Sequence, residues 1–167
     1  LPQNTEIPTP KPTITPSIIP EIKQESTSKV KALNIGETAI GTNFKITVNG
    51  VRSADRIDYI DNIYGPPAVA TEGKQYFIID LTLENISPES QYASVDTEVI
   101  DEEGYSYSQE FYGFVALEDK ALKSGEIPQS MKRRGEIPYL IPKDAKNLKF
   151  LYKLDLLGKE MAIFNIS

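Results

Sequence analysis

Three acidic residues stand at short spacing in one stretch of the chain: Asp55, Asp58 and Asp61. Together with the amide of Asn62 they offer oxygen atoms, and Ca²⁺ binds oxygen ligands in sets of about six to eight. The order of these residues does not match an EF-hand loop. The spacing therefore predicts either a calcium site or an ordinary solvated, charged loop, and no other cofactor is indicated.

The connection that carries these acids, residues 55–73, is long and has no strand pattern of its own. Long connections without regular structure are commonly binding loops or mobile segments. Tyr59, Tyr64 and the pair Pro66-Pro67 offer contact surface within it. We therefore regard this loop as a candidate binding site for a small ligand, a metal ion or a partner.

A second candidate surface is the aromatic stretch GYSYSQEFYGF, which ends at Phe114. Aromatic side chains recognise sugars and peptides, but in a β protein they more often pack in the core or across strands. The alternation of Tyr105 and Tyr107 favours core packing. If the stretch forms an exposed patch instead, Tyr105, Tyr107 and Tyr112 are the candidate partner-binding residues.

The tight basic cluster Lys132-Arg133-Arg134 stands out in an acidic chain. It has the charge to contact an anionic surface polymer. Charged side chains also protect exposed strand edges against aggregation, and we favour that interpretation.

Two sequons fit the N-glycosylation pattern, one beginning at Asn85 and one at Asn165. The pattern matters only in a secreted protein of a glycosylating organism. Pro88 shortly follows the first sequon, and the second stands at the end of the chain. Both positions argue against glycosylation, so Asn85 and Asn165 are only candidate acceptors.

Composition excludes most catalytic chemistry. The chain contains no cysteine and no histidine, which removes thiolate nucleophiles and the usual base near neutral pH. Carboxylates, tyrosines and lysines remain, but no carboxylate pair stands out as a general acid and base. The formal net charge of −6 argues against a nucleic-acid partner, and no apolar run is long enough to cross a bilayer. We expect a non-enzymatic protein.

The elements that must position these residues are β-strands. Phe44, Ile46 and Val48 alternate with polar residues before Asn49-Gly50, a turn or bulge signal. The stretch YFIIDLTLENI repeats the pattern more strongly, with its apolar residues at every second position pointing inward and the acids between them pointing out.

Further alternation is present at residues 93–99, which precede the turn Asp101-Glu102-Glu103-Gly104 and predict a hairpin. Near the C-terminus, residues 148–153 and 162–166 alternate in the same way and are expected to pair antiparallel. About seven or eight strands separated by turns, without an alternation of strands and helices, predict a two-sheet antiparallel sandwich, with a small barrel as the alternative.

Residues 1–28 differ from the rest of the chain because proline recurs too often for a helix or a sheet strand. Such a segment favours the extended polyproline conformation at about 3.1 Å per residue, so it could hold a domain up to about 90 Å from an anchor. We predict a flexible stalk over residues 1–28 and one folded domain over residues 29–167. The start at Leu1 rather than Met fits a processed secreted protein.

Several motifs carry a resemblance to a known family. They are the run from Glu72 to Asp80 with Glu84-Asn85-Ile86-Ser87, the turn Asp101-Glu102-Glu103-Gly104-Tyr105, Leu122-Lys123-Ser124-Gly125-Glu126, Gly135, Tyr139-Leu140-Ile141-Pro142-Lys143-Asp144-Ala145 and Lys149-Phe150-Leu151-Tyr152. From about Ile35 to its end the chain resembles the DUF4352 family of bacterial and archaeal surface proteins and lipoproteins.

The resemblance implies an immunoglobulin-like extracellular fold, as in immunoprotective secreted antigens, with no catalytic residues to carry over. The stalk composition is similar to that of methanogen surface proteins. Pro138 departs from the pattern because it falls inside an expected strand and lacks a ladder donor, which indicates an edge strand or a bulge.

These observations predict an all-β, immunoglobulin-like sandwich on a disordered proline-rich tail. We expect a non-catalytic interaction or structural module, secreted or held at the cell surface through an upstream or removed N-terminal segment. Its partner would be another envelope protein or a surface polymer. The alternative function is an envelope protein that binds Ca²⁺ or a small ligand through the 55–73 loop.

Overall fold

The computed structural model of the protein describes residues 32–59, 66–154 and 160–167. The predicted stalk, residues 1–28, lies outside this part of the chain. The described residues form β1 (Leu33–Asn34), β2 (Thr38–Ile40), β3 (Phe44–Ala54), β4 (Arg56–Ile57), β5 (Ala68–Val69), β6 (Lys74–Asn85), β7 (Gln91–Ala93), β8 (Thr97–Ile100), β9 (Ser106–Ser108), α1 (Phe111–Leu117), a 3₁₀ turn (Glu118–Lys120), β10 (Gly125–Ile127), β11 (Lys132–Pro142), β12 (Lys149–Lys153) and β13 (Met161–Asn165).

Two larger sheets carry the fold. One has five strands in the order β1-β13-β12-β8-β9, and the other has four in the order β11-β6-β3-β2. Their neighbouring strands are antiparallel except β1, which runs parallel to β13. Two short pairs, β7 with β10 and β4 with β5, lie beside them. The predicted antiparallel sandwich is confirmed, and each large sheet keeps open edges, unlike a barrel.

The core lies between the two large sheets. Every second residue of β6, namely Phe77, Ile79, Leu81 and Leu83, is buried in the main hydrophobic cluster, as the alternation predicted. The facing sheet contributes Phe150, whose ring meets Tyr139 of β11 edge-on at a centroid distance of 6.4 Å. A strand with one apolar face can be stable only when that face is covered by another layer, which here is the opposite sheet.

Other predicted features of the strands are also confirmed. Asn49-Gly50 is a bulge, because the register of β3 against β6 shifts between Val48 and Gly50. The turn at residues 101–104 joins β8 to β9, which pair antiparallel. The two C-terminal strands pair as expected, with Phe150 opposite Phe164.

The expectation of one continuous strand over residues 93–99 is wrong. β7 pairs with β10, whereas β8 pairs with β12 and β9, so the chain changes sheets between them. Side chains from other parts of the chain supply the hydrogen bonds of the backbone between β7 and β8. Val95 N donates to Ser124 Oγ at 3.1 Å, and Ser94 O accepts from Tyr152 Oη at 2.6 Å. Because these bonds replace ladder bonds, the crossing carries strand-like alternation without being a strand.

The four-stranded sheet has a second covered region on its outer face. Tyr76 and Ile78 of β6 are buried there with Ile57 and Ala68, beneath Ala116 and Leu117 of α1. Helix α1 is only seven residues long, and two turns give too few positions to establish a helical period in the sequence. The helix therefore became visible only in the tertiary structure.

Pro138 lies in β11, an edge strand of its sheet, as its residue type indicated. Its carbonyl oxygen accepts a hydrogen bond from Glu110 N at 2.9 Å. The backbone N and carbonyl O of one residue of an antiparallel strand face the same side, so at Pro138 both face away from β6, and the missing N–H removes no bond between β11 and β6.

No helix among the described residues is long and apolar enough to span a membrane. Buried side-chain nitrogen and oxygen atoms in the same residues all have hydrogen-bond partners.

Four buried or partly buried tyrosines make the stability of the fold depend on pH in the alkaline range. Burial raises the pKa of Tyr139 and Tyr152 strongly, and it raises the pKa of Tyr76 and of Tyr107 to about 12. A phenol with a raised folded-state pKa stabilises the fold below its unfolded pKa of about 10, and this contribution is lost as the pH rises toward the folded value. We expect the free energy of unfolding to fall between about pH 10 and pH 12.

The measurement is urea unfolding at successive alkaline pH values, with phenolate absorbance recorded in parallel. If all nine tyrosines ionise while the far-ultraviolet circular dichroism signal stays native, the predicted link between ionisation and unfolding is absent.

Candidate functional site

The 55–73 connection is more structured than its sequence predicted, because β4 and β5 pair within it. Asp55 Oδ1 lies 2.8 Å from Lys143 Nζ, and Asp58 Oδ1 accepts from Arg56 Nε at 2.9 Å. Asp61 and Tyr64 lie outside the described residues. The two described acids are therefore each paired with a different cation of the chain.

Tyr59 is half-buried and packs against the cluster beneath α1. Among the described residues, no three acidic side chains are grouped so that they could hold a metal ion. The calcium site stays a prediction.

The two interpretations of this loop give different results with Ca²⁺. If it is an ordinary charged loop, as the pairing of Asp55 with Lys143 and of Asp58 with Arg56 favours, Ca²⁺ leaves the thermal midpoint of the protein unchanged relative to EDTA. A bound ligand at a hundred times its dissociation constant would add about 2.7 kcal/mol, a rise of roughly 5 to 10 °C. A rise of this size that Asp61→Asn abolishes would establish the calcium site instead.

The aromatic stretch GYSYSQEFYGF runs from before β9 into α1. Its interpretation as core packing is wrong for three of its five aromatic residues. Tyr107 and Phe114 pack against buried residues, but Tyr105, Phe111 and Tyr112 are 62%, 69% and 67% exposed. For Phe111 and Tyr112 the reason is the change of period: where α1 begins, side chains repeat about every 3.6 residues rather than every two. Tyr105 stands directly before β9, next to the turn.

Helix α1 consequently has two different sides. Gly113, Ala116 and Leu117 are buried against the sheet, whereas Phe111 and Tyr112 face outward with their rings edge-to-face at 5.7 Å. The sequence contains one signal of the buried side: Gly113 and Ala116 are both small and stand three positions apart. We call the outward side, formed by Phe111, Tyr112 and Val115, the α1 surface.

Glu110 fixes the start of this helix. Its Oε2 accepts a hydrogen bond from Gly113 N at 2.6 Å, which satisfies one of the unpaired amides of the first turn. Burial, together with the charge and hydrogen bond of Glu110, raises the pKa of Tyr76 beneath it. Gly113 allows the close approach, because a Cβ there would stand 2.8 Å from the Tyr76 ring. The α1 surface is thus held on a fixed support.

A groove of about 350 Å³ runs beside the α1 surface. It is lined by Val95, Gln109, Phe111, Phe114, Leu122 and Ser124. The groove combines aromatic walls with a few polar groups, the usual character of a binding surface for an uncharged, partly apolar ligand.

A second cleft of about 330 Å³ lies beside the β8–β9 turn, and its lining includes Tyr105, Tyr107 and four acidic residues. Tyr107 Oη donates to Asp101 Oδ2 at 2.7 Å. Desolvation acts against the charge of Asp101, yet hydrogen bonds from Tyr107 and the turn backbone hold its pKa below the usual value. The pair is thereby kept as carboxylate and neutral phenol, an arrangement that orders the turn.

The basic cluster does not form one patch. Lys132 Nζ lies 3.2 Å from Glu84 and Arg134 Nη2 lies 2.5 Å from Asp80, on one side of the strand. Arg133 points to the other side, where it donates to the carbonyl oxygens of Lys123, Gly125 and Glu126. Strand alternation therefore divides the cluster, and all three side chains have partners within the chain.

The two sequons have different surroundings. Asn85 is fully buried, and its Nδ2 donates to Ile127 O and Glu89 O, each at 2.8 Å. A glycan on this nitrogen would displace at least one of these bonds, so the folded structure has no room for it. Asn165 is exposed, and its glycosylation stays a prediction.

Comparisons with known proteins agree with this architecture. A family model described as "Domain of unknown function (DUF4352)" matches residues 33–163. No curated protein sequence matches the chain.

Solved structures share the fold. The yjhA protein from Bacillus subtilis superposes with a TM-score of 0.64 at 20% identity, covering 81% of this chain and 99% of that one. A secreted protein from Mycobacterium tuberculosis gives 0.55 at 14% identity over 81% and 98% of the two chains. A putative lipoprotein from Bacillus subtilis gives 0.59 at 10% identity, over 78% of this chain and 38% of that one. At these identities the likeness concerns the fold alone.

Proposed function

This chain belongs to the DUF4352 family, and from that premise we propose that it is a non-catalytic interaction module that works outside the cytoplasm and binds its partner through the α1 surface. The observation that carries the proposal is the exposure of Phe111 and Tyr112, each about two-thirds accessible, on a helix whose other side is buried. Exposed aromatic groups on a rigid support are typical of the residues that dominate binding energy.

The proposed location outside the cytoplasm is supported by the structural neighbours of the chain. One structural neighbour is described as secreted and another as a putative lipoprotein. A proline-rich segment at residues 1–28 would tether such a module to an anchor. We propose the same placement for this chain, with an immunoglobulin-like topology of the sandwich.

Two carboxyl groups of the described residues, Asp80 and Asp101, are unsuited to act as a general acid at neutral pH. Hydrogen bonds hold the pKa of Asp80, with Arg134 as the main donor, below its usual value, and the pKa of Asp101 is lowered as well. A catalytic acid at neutral pH needs the opposite shift, because it must remain protonated until it donates. Neither group is therefore suited to that role.

The test is cosedimentation of the full chain with envelope fragments of the cells that produce it. We expect the double variant Phe111→Ser/Tyr112→Ser to bind at least about 30-fold more weakly, since losing a dominant interface residue costs about 2 kcal/mol or more. Stability should change little, because both side chains are already exposed to solvent.

Tyr92→Ser is the matched control, because Tyr92 is also an exposed aromatic residue, at 54%, but lies on β7 and belongs neither to the α1 surface nor to the lining of the groove beside it. If the double variant and the control bind with the affinity of the unmodified chain, the α1 surface is not the interaction site.

A further inference from the structure

The groove beside the α1 surface is matched to an extended, proline-rich peptide. Phe111 and Phe114 form its aromatic walls, and such walls bind prolines in the polyproline conformation, whose ordering entropy is already low. A proline-rich peptide has carbonyl groups without internal hydrogen bonds, and it needs donors from its binding site. Gln109 and Ser124 place a side-chain amide and a hydroxyl in the lining.

This chain carries a sequence of that kind. Residues 7–20 read IPTPKPTITPSIIP, with five prolines, three threonines and four isoleucines. Lys11 is the single charged residue of the segment, and it is positive, whereas the chain as a whole has a formal charge of −6. Charge therefore favours the association of this segment with the rest of the protein.

The strand register shows where the chain preceding β1 meets the fold. In the register, Leu33 of β1 is the partner of Phe164 of β13, and Phe164 is also the partner of Phe150 of β12. Phe150 is in turn the partner of Val99 of β8, and Val99 is the partner of Tyr107 of β9. These residues form one row across the five-stranded sheet. Four strand spacings of about 4.8 Å separate the ends of the row, a distance of about 19 Å.

The direction of the strands brings the two ends of the row to the same side. β1 runs antiparallel to β9, so the chain before Leu33 and the chain after Tyr107 both continue toward one end of the sheet. The chain after Tyr107 leads through Gln109 to Phe111, where the groove begins. The segment that precedes Ala32 thus joins the fold at the end of the sandwich that carries the groove.

Length also suffices. Ala32 is twelve positions after Pro20, and at about 3.1 Å per position the chain between them spans up to about 37 Å. We propose that residues 7–20 of this chain dock in the groove beside the α1 surface, in cis. This inference rests on the proposed function, because the docked segment would occupy the surface that binds the envelope partner and would compete with that partner for it.

Absence of cysteine permits a clean test in the full chain. Ile14→Cys is coupled to a nitroxide spin label, and amide signals are recorded by NMR on ¹⁵N-labelled protein before and after the nitroxide is reduced. We expect the amides of α1 and of Gln109 to lose at least half of their intensity while the nitroxide is present. The amides of β2, a strand at an edge of the other sheet, should be unaffected.

Two further samples make the result decisive. Adding Phe111→Ser/Tyr112→Ser to the labelled chain should restore the α1 signals. Mixing ¹⁵N-labelled chain without nitroxide and unlabelled chain with nitroxide should give no broadening, since docking is within one molecule. Equal intensities in α1 and β2, or broadening confined to the mixed sample, would overturn docking in cis. Weaker envelope binding by the double variant would meanwhile leave the proposed function standing, so the two failures are distinguishable.

Discussion

Replacing Asn85 by alanine lowers the free energy of unfolding by about 3 kcal/mol, because the buried groups Ile127 O and Ser87 N lose a hydrogen-bond partner and Glu89 O keeps only its bond from Ser87 Oγ. The Nδ2 of Asn85 bonds Ile127 O and Glu89 O, and its Oδ1 accepts from Ser87 N at 2.9 Å. The residue is fully buried, so water cannot replace these bonds without entering the fold. A buried group left without a partner costs about 1 to 3 kcal/mol.

The measurement is urea unfolding followed by circular dichroism, and a loss of this size lowers the thermal midpoint by about 10 °C in a domain of this length. Asn165→Ala is the matched control, because it removes an exposed asparagine and should change stability by less than about 0.5 kcal/mol. Asn85→Asp separates the donor from the acceptor: it keeps an oxygen for Ser87 N but turns a carboxylate toward two carbonyl groups. Equal stability of Asn85→Ala and Asn165→Ala would show that the bonds of Asn85 contribute little.

Replacing Gly135 by alanine destabilises the protein by about 3 kcal/mol, the upper part of the range for overpacking. A Cβ at this position would stand 2.6 Å from both the Cα and the N of Leu122. These atoms belong to the backbone and cannot rotate away, unlike the end of a side chain. Leu122 is itself fully buried, and its N–H donates to Glu136 O at 2.9 Å, so any displacement disturbs the core and this bond together.

Gly50→Ala is the control for Gly135→Ala. Both glycines lie inside long strands, but a Cβ at Gly50 meets nothing within 4 Å. The difference in unfolding free energy between the two variants therefore measures the contact with Leu122 apart from the general effect of glycine on the unfolded chain. A difference below about 0.5 kcal/mol, the usual range for a surface substitution, would mean that the backbone at Leu122 moves away at little cost.

The strands of the sandwich were predictable from local pattern. In β6 the alternation of apolar and polar residues located the inward face, and in β12 and β13 it located both strands and their pairing. Period-two alternation is a property of consecutive residues, so it needs no knowledge of the partner strand. The bulge at Asn49-Gly50 and the edge position of Pro138 were predictable for the same reason, since each follows from what one residue type permits.

The candidate site was less accessible to sequence reasoning. The aromatic stretch was recognised, but whether Phe111 and Tyr112 face the core or the solvent depends on the helix, whose seven residues are held by the cap of Glu110 and by burial of Ala116 and Leu117. Those contacts come from residues distant in the chain, and local propensity does not contain them.

The sequence by itself determined the fold class, the family resemblance and the absence of thiol and imidazole chemistry, because each depends on composition or on neighbouring residues. Tertiary structure alone decided which polar residues are structural and which surface is free to bind. In the sequence, Asn85 is part of a sequon, but in the structure its amide is bonded to Ile127 O and Glu89 O. In the same way, Lys132-Arg133-Arg134 is one basic cluster in the sequence, but strand geometry places its side chains on two sides of β11. Long-range contacts set the burial and the partners of a side chain, and burial and partners decide its role.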